Sequence, residues 1–459
     1  MQHSTALVAV AMALLVAFAA AAPSGHEITA LPGWSGPLPS RHYSGYLNIS
    51  QTKRIHYWFV ESMNNPTTDP VVVWMNGGPG CSSLDGFVYE HGPFRFSEDG
   101  TSLVRFNQSW ASLANMLYIE APVGVGFSYA TDSAYACNDD QTAYDNRLAV
   151  QTFFSLFPEY NQHDLFITGE SYGGIYVPTL AESILQATEN GTYKGAPLKG
   201  IAVGNGCTGN EIGVCGGERD KYETEYLLGT AFVDPSLKDA IRAACDFSNS
   251  SVPSMPCQVL LNKMHNNLGN IDMYNIYGSC INGDSNQVLR APLGKTYTDI
   301  RGPTACIDSI LASNYFNRAD VQAAIHVQKP VERWSTCGTA PGWTYNSNRA
   351  NLPRDSYPYI IEHIKVVIYN GDWDTCVPYT DNVAWTSGMN YPTKAAWHPW
   401  FYNVTAEGVT SEQVGGYATV YDKNDFTFVT VRGGRHEVPE TAPDKALALL
   451  SHLIHGVGF

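Results

Sequence analysis

Short apolar runs rich in β-branched residues recur along the chain at 71–75, 116–119, 165–168, 201–203, 366–369 and 426–431, most of them ending in glycine-bearing turns. Their brevity and unbroken apolar character predict strands buried on both faces. Between some of them the period lengthens. Residues 143–156 and 175–186 carry apolar positions near i, i+4 and i+7, the stripe of a helix, and 445–454 predict a terminal helix. Strands that alternate with helices predict an α/β architecture: a mostly parallel central sheet flanked by helices on both faces.

The pattern weakens between Cys207 and about Leu311, where Cys, Asn, Gly and Ser accumulate and the helical stripes are short. This stretch predicts an inserted cap over the carboxyl edge of the sheet. The expected organisation is a leader at 1–22, a first part of the core at 23–206, a cap at 207–312 and a second part at 313–459, resuming with a helix start at 314–327. No repeat or low-complexity tract interrupts the chain.

The apolar run at 6–22 ends in small residues and is followed by Pro23, Ser24 and Gly25, which marks a signal peptide even though no Lys or Arg precedes it. Later segments fall short of a membrane span, so no stable membrane insertion is expected. With 27 basic against 43 acidic residues and no Lys/Arg run, nucleic acid is a poor partner. Ten cysteines without close C-x-x-C pairs suit an oxidising compartment better than a zinc site, and sequons at Asn48, Asn107, Asn190, Asn249 and Asn403 agree. The secretory pathway follows, with an extracellular, vacuolar or lysosomal destination.

The chemistry begins at Gly-Glu-Ser-Tyr-Gly, residues 169–173, set between a predicted strand and a helical stripe. That is the context of a nucleophile elbow, in which flanking glycines let strand and helix close up while Ser171 takes a strained conformation with its hydroxyl exposed. A serine nucleophile needs a base, and the base an orienting carboxylate. Asp372 ends the 366–369 run in Asn-Gly-Asp, with Asp374 competing for the role, and His436 follows the 426–431 run after a glycine pair. The order Ser, acid, His is that of α/β-hydrolases. The glycine turn at 74–83, directly after the first run, offers the Gly78 amide to an oxyanion beside that of Tyr172.

Taken together, the motifs at 74–83 (WMNGGPGCSS), 122–129 (PVGVGFSY), 169–174 (GESYGG), 370–372 (NGD) and 435–439 (RHEVP) resemble the serine carboxypeptidase family, which includes carboxypeptidase Y, cathepsin A and the plant serine carboxypeptidase-like proteins. The resemblance covers nearly all of the mature chain. It implies an α/β-hydrolase fold and release of C-terminal amino acids from peptides and proteins, with no metal or cofactor. It also implies that Glu170 recognises the substrate's terminal carboxylate, with Asn76 beside it and Glu90 paired to Glu170. Two carboxyls in contact do not both ionise cheaply, which favours acidic working pH.

The same resemblance pairs Cys81 with Cys337. Cys207 with Cys215, Cys245 with Cys257 and Cys280 with Cys306 are expected as cap staples, leaving Cys137 and Cys376 either as a fifth bridge or with Cys376 as a free thiol at the site. Tyr274 and Tyr277 are candidates for the side-chain pocket, and Glu437 for contact with basic groups on the leaving side. A homodimer is compatible with the family. Two other readings remain: an acyltransferase on the same scaffold, which has no carboxylate to recognise, and a catalytically silent binding protein, which predicts a damaged triad.

Overall fold

The computed structural model describes residues 23, 25–248, 252–269, 271–279, 296–298, 309–328 and 333–459. The leader, the Asn249 sequon and the proposed Cys280–Cys306 pair lie outside the described residues. Ten strands build most of the central sheet: β1 (His42–Asn48), β2 (Lys53–Val60), β3 (Val71–Met75), β4 (Asn115–Ile119), β5 (Leu165–Glu170), β6 (Leu198–Gly204), β7 (Lys365–Gly371), β8 (Thr393–Ala406), β9 (Val409–Tyr421) and β10 (Thr427–Val431). Their spatial order is β1-β2-β4-β3-β5-β6-β7-β10-β9-β8. The six from β4 to β10 run parallel, and the flanks are antiparallel.

Alternation along each inner strand feeds two separate apolar layers. Val71, Val73 and Met75 join one layer with Ile167, Ile201 and Ile368, covered by α1 (Asp139–Leu156) and α2 (Gly173–Glu189). Val72 and Trp74 join the other with Met116, Phe166, Ala202 and Val367, covered in part by the terminal helix Pro443–His455. This two-sided burial is why the runs read as continuously apolar. Helix α1 begins four residues before its apolar stripe, where the Asn138 side chain accepts from Gln141 N at 2.8 Å and Asp139 and Asp140 fill the first turn.

β1 and β2 carry no clear apolar pattern because their buried positions include His42, Ser44 and His56. Ser44 Oγ donates to the Ile325 carbonyl at 2.8 Å, His56 Nδ1 stands 2.9 Å from Glu120 Oε2, and His42 Nδ1 accepts from Trp58 Nε1 at 3.2 Å. The predicted helix start at 314–327 resolves into two short helices, Ile310–Phe316 and Ala319–Ala324.

Between β6 and β7 lie α3 (Arg219–Leu228), α4 (Pro235–Ala244) and α5 (Met255–Leu268). They enclose a third apolar cluster of their own, including Tyr226, Leu237, Ile241, Leu261 and Ile276, against which Trp373 and Tyr379 pack. Disulfides join Cys81 to Cys337, Cys207 to Cys215 and Cys245 to Cys257, while Cys137 and Cys376 are free thiols.

The first layer is densely aromatic around Phe153, which is fully buried and meets Tyr57, Phe59, Phe154 and Phe157. Phe153→Ala is expected to cost about 3–5 kcal/mol of stability, read from chemical denaturation midpoints.

Candidate active site

β5 ends at Glu170 and α2 starts at Gly173, leaving Ser171 in the turn between them with φ +59°. For a residue with a Cβ that conformation costs about 1–2 kcal/mol, so the surroundings must impose it. They do so through the main chain: Ser171 N donates to the Gly204 carbonyl at 3.0 Å, and Ser171 O accepts from Gly174 N at 2.9 Å and Cys207 N at 3.0 Å. A Cβ at Gly169 or Gly173 would press into the Met75 carbonyl, which explains the glycine on each side of the motif.

The glycine turn after β3 lies directly against this elbow, since a Cβ on Gly77 would collide with the Tyr172 main-chain nitrogen. Gly78 sits at φ +110°. Among the described residues, neither the Gly78 nor the Tyr172 N–H has an acceptor within the protein. The turn is fastened on its far side by Cys81–Cys337, by Ser82 N donating to Thr336 O at 2.7 Å and by Ser82 Oγ donating to buried Glu120 at 2.5 Å. Tyr172 is anchored through its phenol, which donates to buried Asp139 at 2.8 Å and accepts from Ser347 Oγ at 2.7 Å.

The carboxylate beside His436 is Asp374, and this corrects the assignment to Asp372. His436 Nδ1 stands 2.7 Å from Asp374 Oδ2, with both side chains buried. Asp374 also accepts from Asn205 Nδ2 at 2.8 Å, Cys376 N at 2.7 Å and Val377 N at 3.1 Å, so a carboxylate with no solvent exposure is bonded throughout. Asp372 points the other way, accepting from Gly433 N at 2.6 Å, and burial raises its pKa. The cause is the length of the turn: β7 runs on through Gly371, and two further residues are needed before a side chain faces His436. His436 Nε2, the edge away from Asp374, is buried and makes no hydrogen bond among the described residues.

Asn205 also belongs to this arrangement. Its side-chain oxygen accepts from Gly371 N at 2.9 Å while its amide donates to Asp374 and to Val377 O. The Gly-Asn-Gly at the end of β6 is a turn signal in the sequence, but nothing local indicates its partner.

Asn76, Glu90 and Glu170 come together as expected. Asn76 Nδ2 donates to Glu90 Oε1 and to Glu170 Oε1, 3.0 Å each, while its own oxygen accepts from Trp74 Nε1 at 2.7 Å and Gly86 N at 3.1 Å. Those two bonds fix which end of the amide faces the acids. Burial, then repulsion from Asp85, pushes the Glu90 pKa up to about 8. Burial, then repulsion from Glu90 and Asp85, holds Glu170 well above the usual carboxyl range.

Of the remaining predicted site residues, Tyr274 is edge-on to the His436 ring at 4.9 Å, and Cys376 lies close to Asp374 and His436, its thiol held up at about 12 by burial. Tyr277 is largely exposed and meets the Trp373 ring edge-on. Glu437 is buried and ion-paired with Arg435, which also holds Glu440. Asn48, Asn107, Asn190 and Asn403 are all exposed.

Strand order, elbow and the position of the His–Asp pair define an α/β-hydrolase fold. The chain belongs to the serine carboxypeptidase family: the family's sequence profile matches residues 32–456. It is 32% identical to serine carboxypeptidase-like 20 of Arabidopsis thaliana, across 97% of this chain and 96% of that one. It is 33% identical to the lysosomal protective protein of Mus musculus, across 98% of each. The crystal structure of Kex1(Δ)p, a prohormone-processing carboxypeptidase from Saccharomyces cerevisiae, superposes with a TM-score of 0.70 at 22% identity, covering 95% of this chain and 97% of that one.

The two aspartates make separable predictions. Asp374→Asn is expected to slow capture of Ser171 by a fluorophosphonate by about 10³–10⁴-fold, and Asp372→Asn by less than about tenfold. The opposite ranking in that assay would return the role to Asp372.

Proposed function

We propose that the protein is a serine-type carboxypeptidase that releases C-terminal amino acids from peptides and proteins at acidic pH. In this reading His436 Nε2 takes the proton of Ser171 as its oxygen attacks the last peptide carbonyl, and Asp374 fixes the imidazole. The Gly78 and Tyr172 amides receive the oxyanion. The terminal amino acid departs with a proton returned by His436, and water then releases the acyl group from Ser171. Asn76 and a protonated member of the Glu90–Glu170 pair hold the substrate's terminal carboxylate.

The observation that carries this reading is the shared Asn76 contact to two buried carboxyls, one of them adjoining Ser171. A carboxyl group donates to a carboxylate only when protonated, and burial favours that form here. An ester donor offers no terminal carboxylate, so an acyltransferase would have no use for the pair. The exposed sequons and the lysosomal relative support passage through the secretory pathway to an extracellular, vacuolar or lysosomal site, and among the described residues no helix is long and apolar enough to cross a membrane.

The test is release of C-terminal residues from blocked dipeptides across about pH 4 to 8, with Ser171→Ala as the inactive control. No release by the wild type at any pH overturns the proposal; transfer of an acyl group from an ester to an alcohol, without peptide cleavage, would identify the acyltransferase. As pH rises toward about 8 the pair loses its proton and repels the substrate carboxylate, so KM is expected to climb. Glu170→Gln should flatten that climb, and an unchanged KM profile would contradict the shared proton.

The pair also links stability to pH. A carboxyl whose folded pKa is raised stabilises the fold below its unfolded value and loses that contribution as pH rises through the folded one. The melting temperature is therefore expected to fall between the ordinary carboxyl range and about pH 8, less steeply in Glu90→Gln.

A further inference from the structure

Resting on His436 and Asp374 as base and orienting acid, we propose that the segment between β6 and β7 acts as the mould in which these two groups are set, with Tyr226 and Tyr274 as positioning residues. The turn at 372–376 that carries Asp374 is irregular backbone beyond the end of β7, so its polar groups need partners from outside the sheet. The core supplies acceptors for its first two N–H groups, Val431 O for Asp372 at 3.2 Å and Gly434 O for Trp373 at 2.9 Å.

Almost everything else comes from the inserted segment. Tyr226 of α3 donates its hydroxyl to the Asp372 carbonyl at 2.7 Å. Ile276 N donates to the Trp373 carbonyl at 3.0 Å, and the Trp373 ring meets Tyr277 at 4.9 Å. The Met273 carbonyl accepts from Thr375 N at 2.9 Å, Cys376 N at 3.1 Å and Thr375 Oγ1 at 3.0 Å. Arg219 donates to the Cys376 carbonyl at 3.1 Å.

The same stretch reaches the base. His436 N donates to the Tyr274 carbonyl at 2.9 Å, and the Tyr274 ring stands edge-on to the imidazole at 4.9 Å. Neighbouring residues 273 and 274 therefore grip the acid turn and the base, one each. A shift of this stretch displaces Asp374 and His436 relative to each other, and misplacement by about 1 Å costs on the order of 10²-fold in rate. A residue that only walls a side-chain pocket would act on KM. A mould acts on kcat.

The experiment uses the purified full-length enzyme with Tyr226→Phe, Tyr274→Leu and Tyr274→Phe. Three quantities are measured: the rate of Ser171 capture by a small fluorophosphonate, kcat and KM on a blocked dipeptide, and the melting temperature. Tyr226→Phe is expected to slow capture and kcat together by about three- to tenfold, with KM within about twofold, because one hydrogen bond to the acid turn is lost. Tyr274→Leu should cost about 30- to 100-fold in both rates, and Tyr274→Phe should recover most of it by restoring the ring.

Capture rates equal to wild type, with KM raised, would assign both tyrosines to the pocket and overturn the mould. Equal losses in Tyr274→Phe and Tyr274→Leu would overturn the role of the ring. Should Tyr274→Leu fail to fold, Tyr226→Phe decides alone, since it deletes a single oxygen. Capture reads the serine and its partners whatever the acyl acceptor. Wild-type capture without dipeptide release would therefore overturn the carboxypeptidase reading and leave this test standing.

Discussion

Asp374 is a carboxyl side chain with no access to water, and the arrangement around it follows from that. A buried charge is tolerable only when every lone pair has a donor. Here four donors come from three places: His436 on the last core strand's turn, Asn205 at the end of β6, and the amides of Cys376 and Val377 in its own turn. Three strand ends are thereby tied together at one carboxylate. The ladders β6–β7 and β7–β10 bring them adjacent, and the hydrogen bonds fix the turns that the ladders leave undetermined.

Glu90 and Glu170 answer the same difficulty in the opposite way. Their chief shared donor is a single amide, and burial, followed by repulsion from Asp85 on both and from Glu90 on Glu170, moves them toward the neutral form. Two solutions to burying acids thus flank one serine. One gathers donors around a carboxyl beside an imidazole. The other lets burial favour the neutral form.

The elbow was legible because its chemistry is local: glycines on either side of a serine, a strand before and a helix after. The inner strands were legible because both faces are buried, so neither carries a polar mark. Outer strands β1 and β2 were hidden by buried His42, Ser44 and His56, of which Ser44 finds its acceptor far along the chain at Ile325. The acid was misplaced by two residues because Asn-Gly-Asp looks like the end of a strand, whereas the strand's end is set by its neighbours. The grip of residues 273–276 on the turn that carries Asp374 and on His436 left no trace either, since it runs largely through main-chain groups that any sequence provides.

The bridge from Cys81 to Cys337 spans 256 residues and fastens the glycine turn to a part of the chain made much later. At ordinary rates of synthesis the second cysteine follows the first by roughly 10–50 s. His436 comes later still, 99 positions after Cys337 by the numbering (436 − 337). Until Cys337 is made the glycine turn lacks its bridge, and until His436 is made the serine has its elbow but no imidazole. A site whose serine, fastened turn and imidazole come from parts of the chain made so far apart in time is complete only near the end of synthesis.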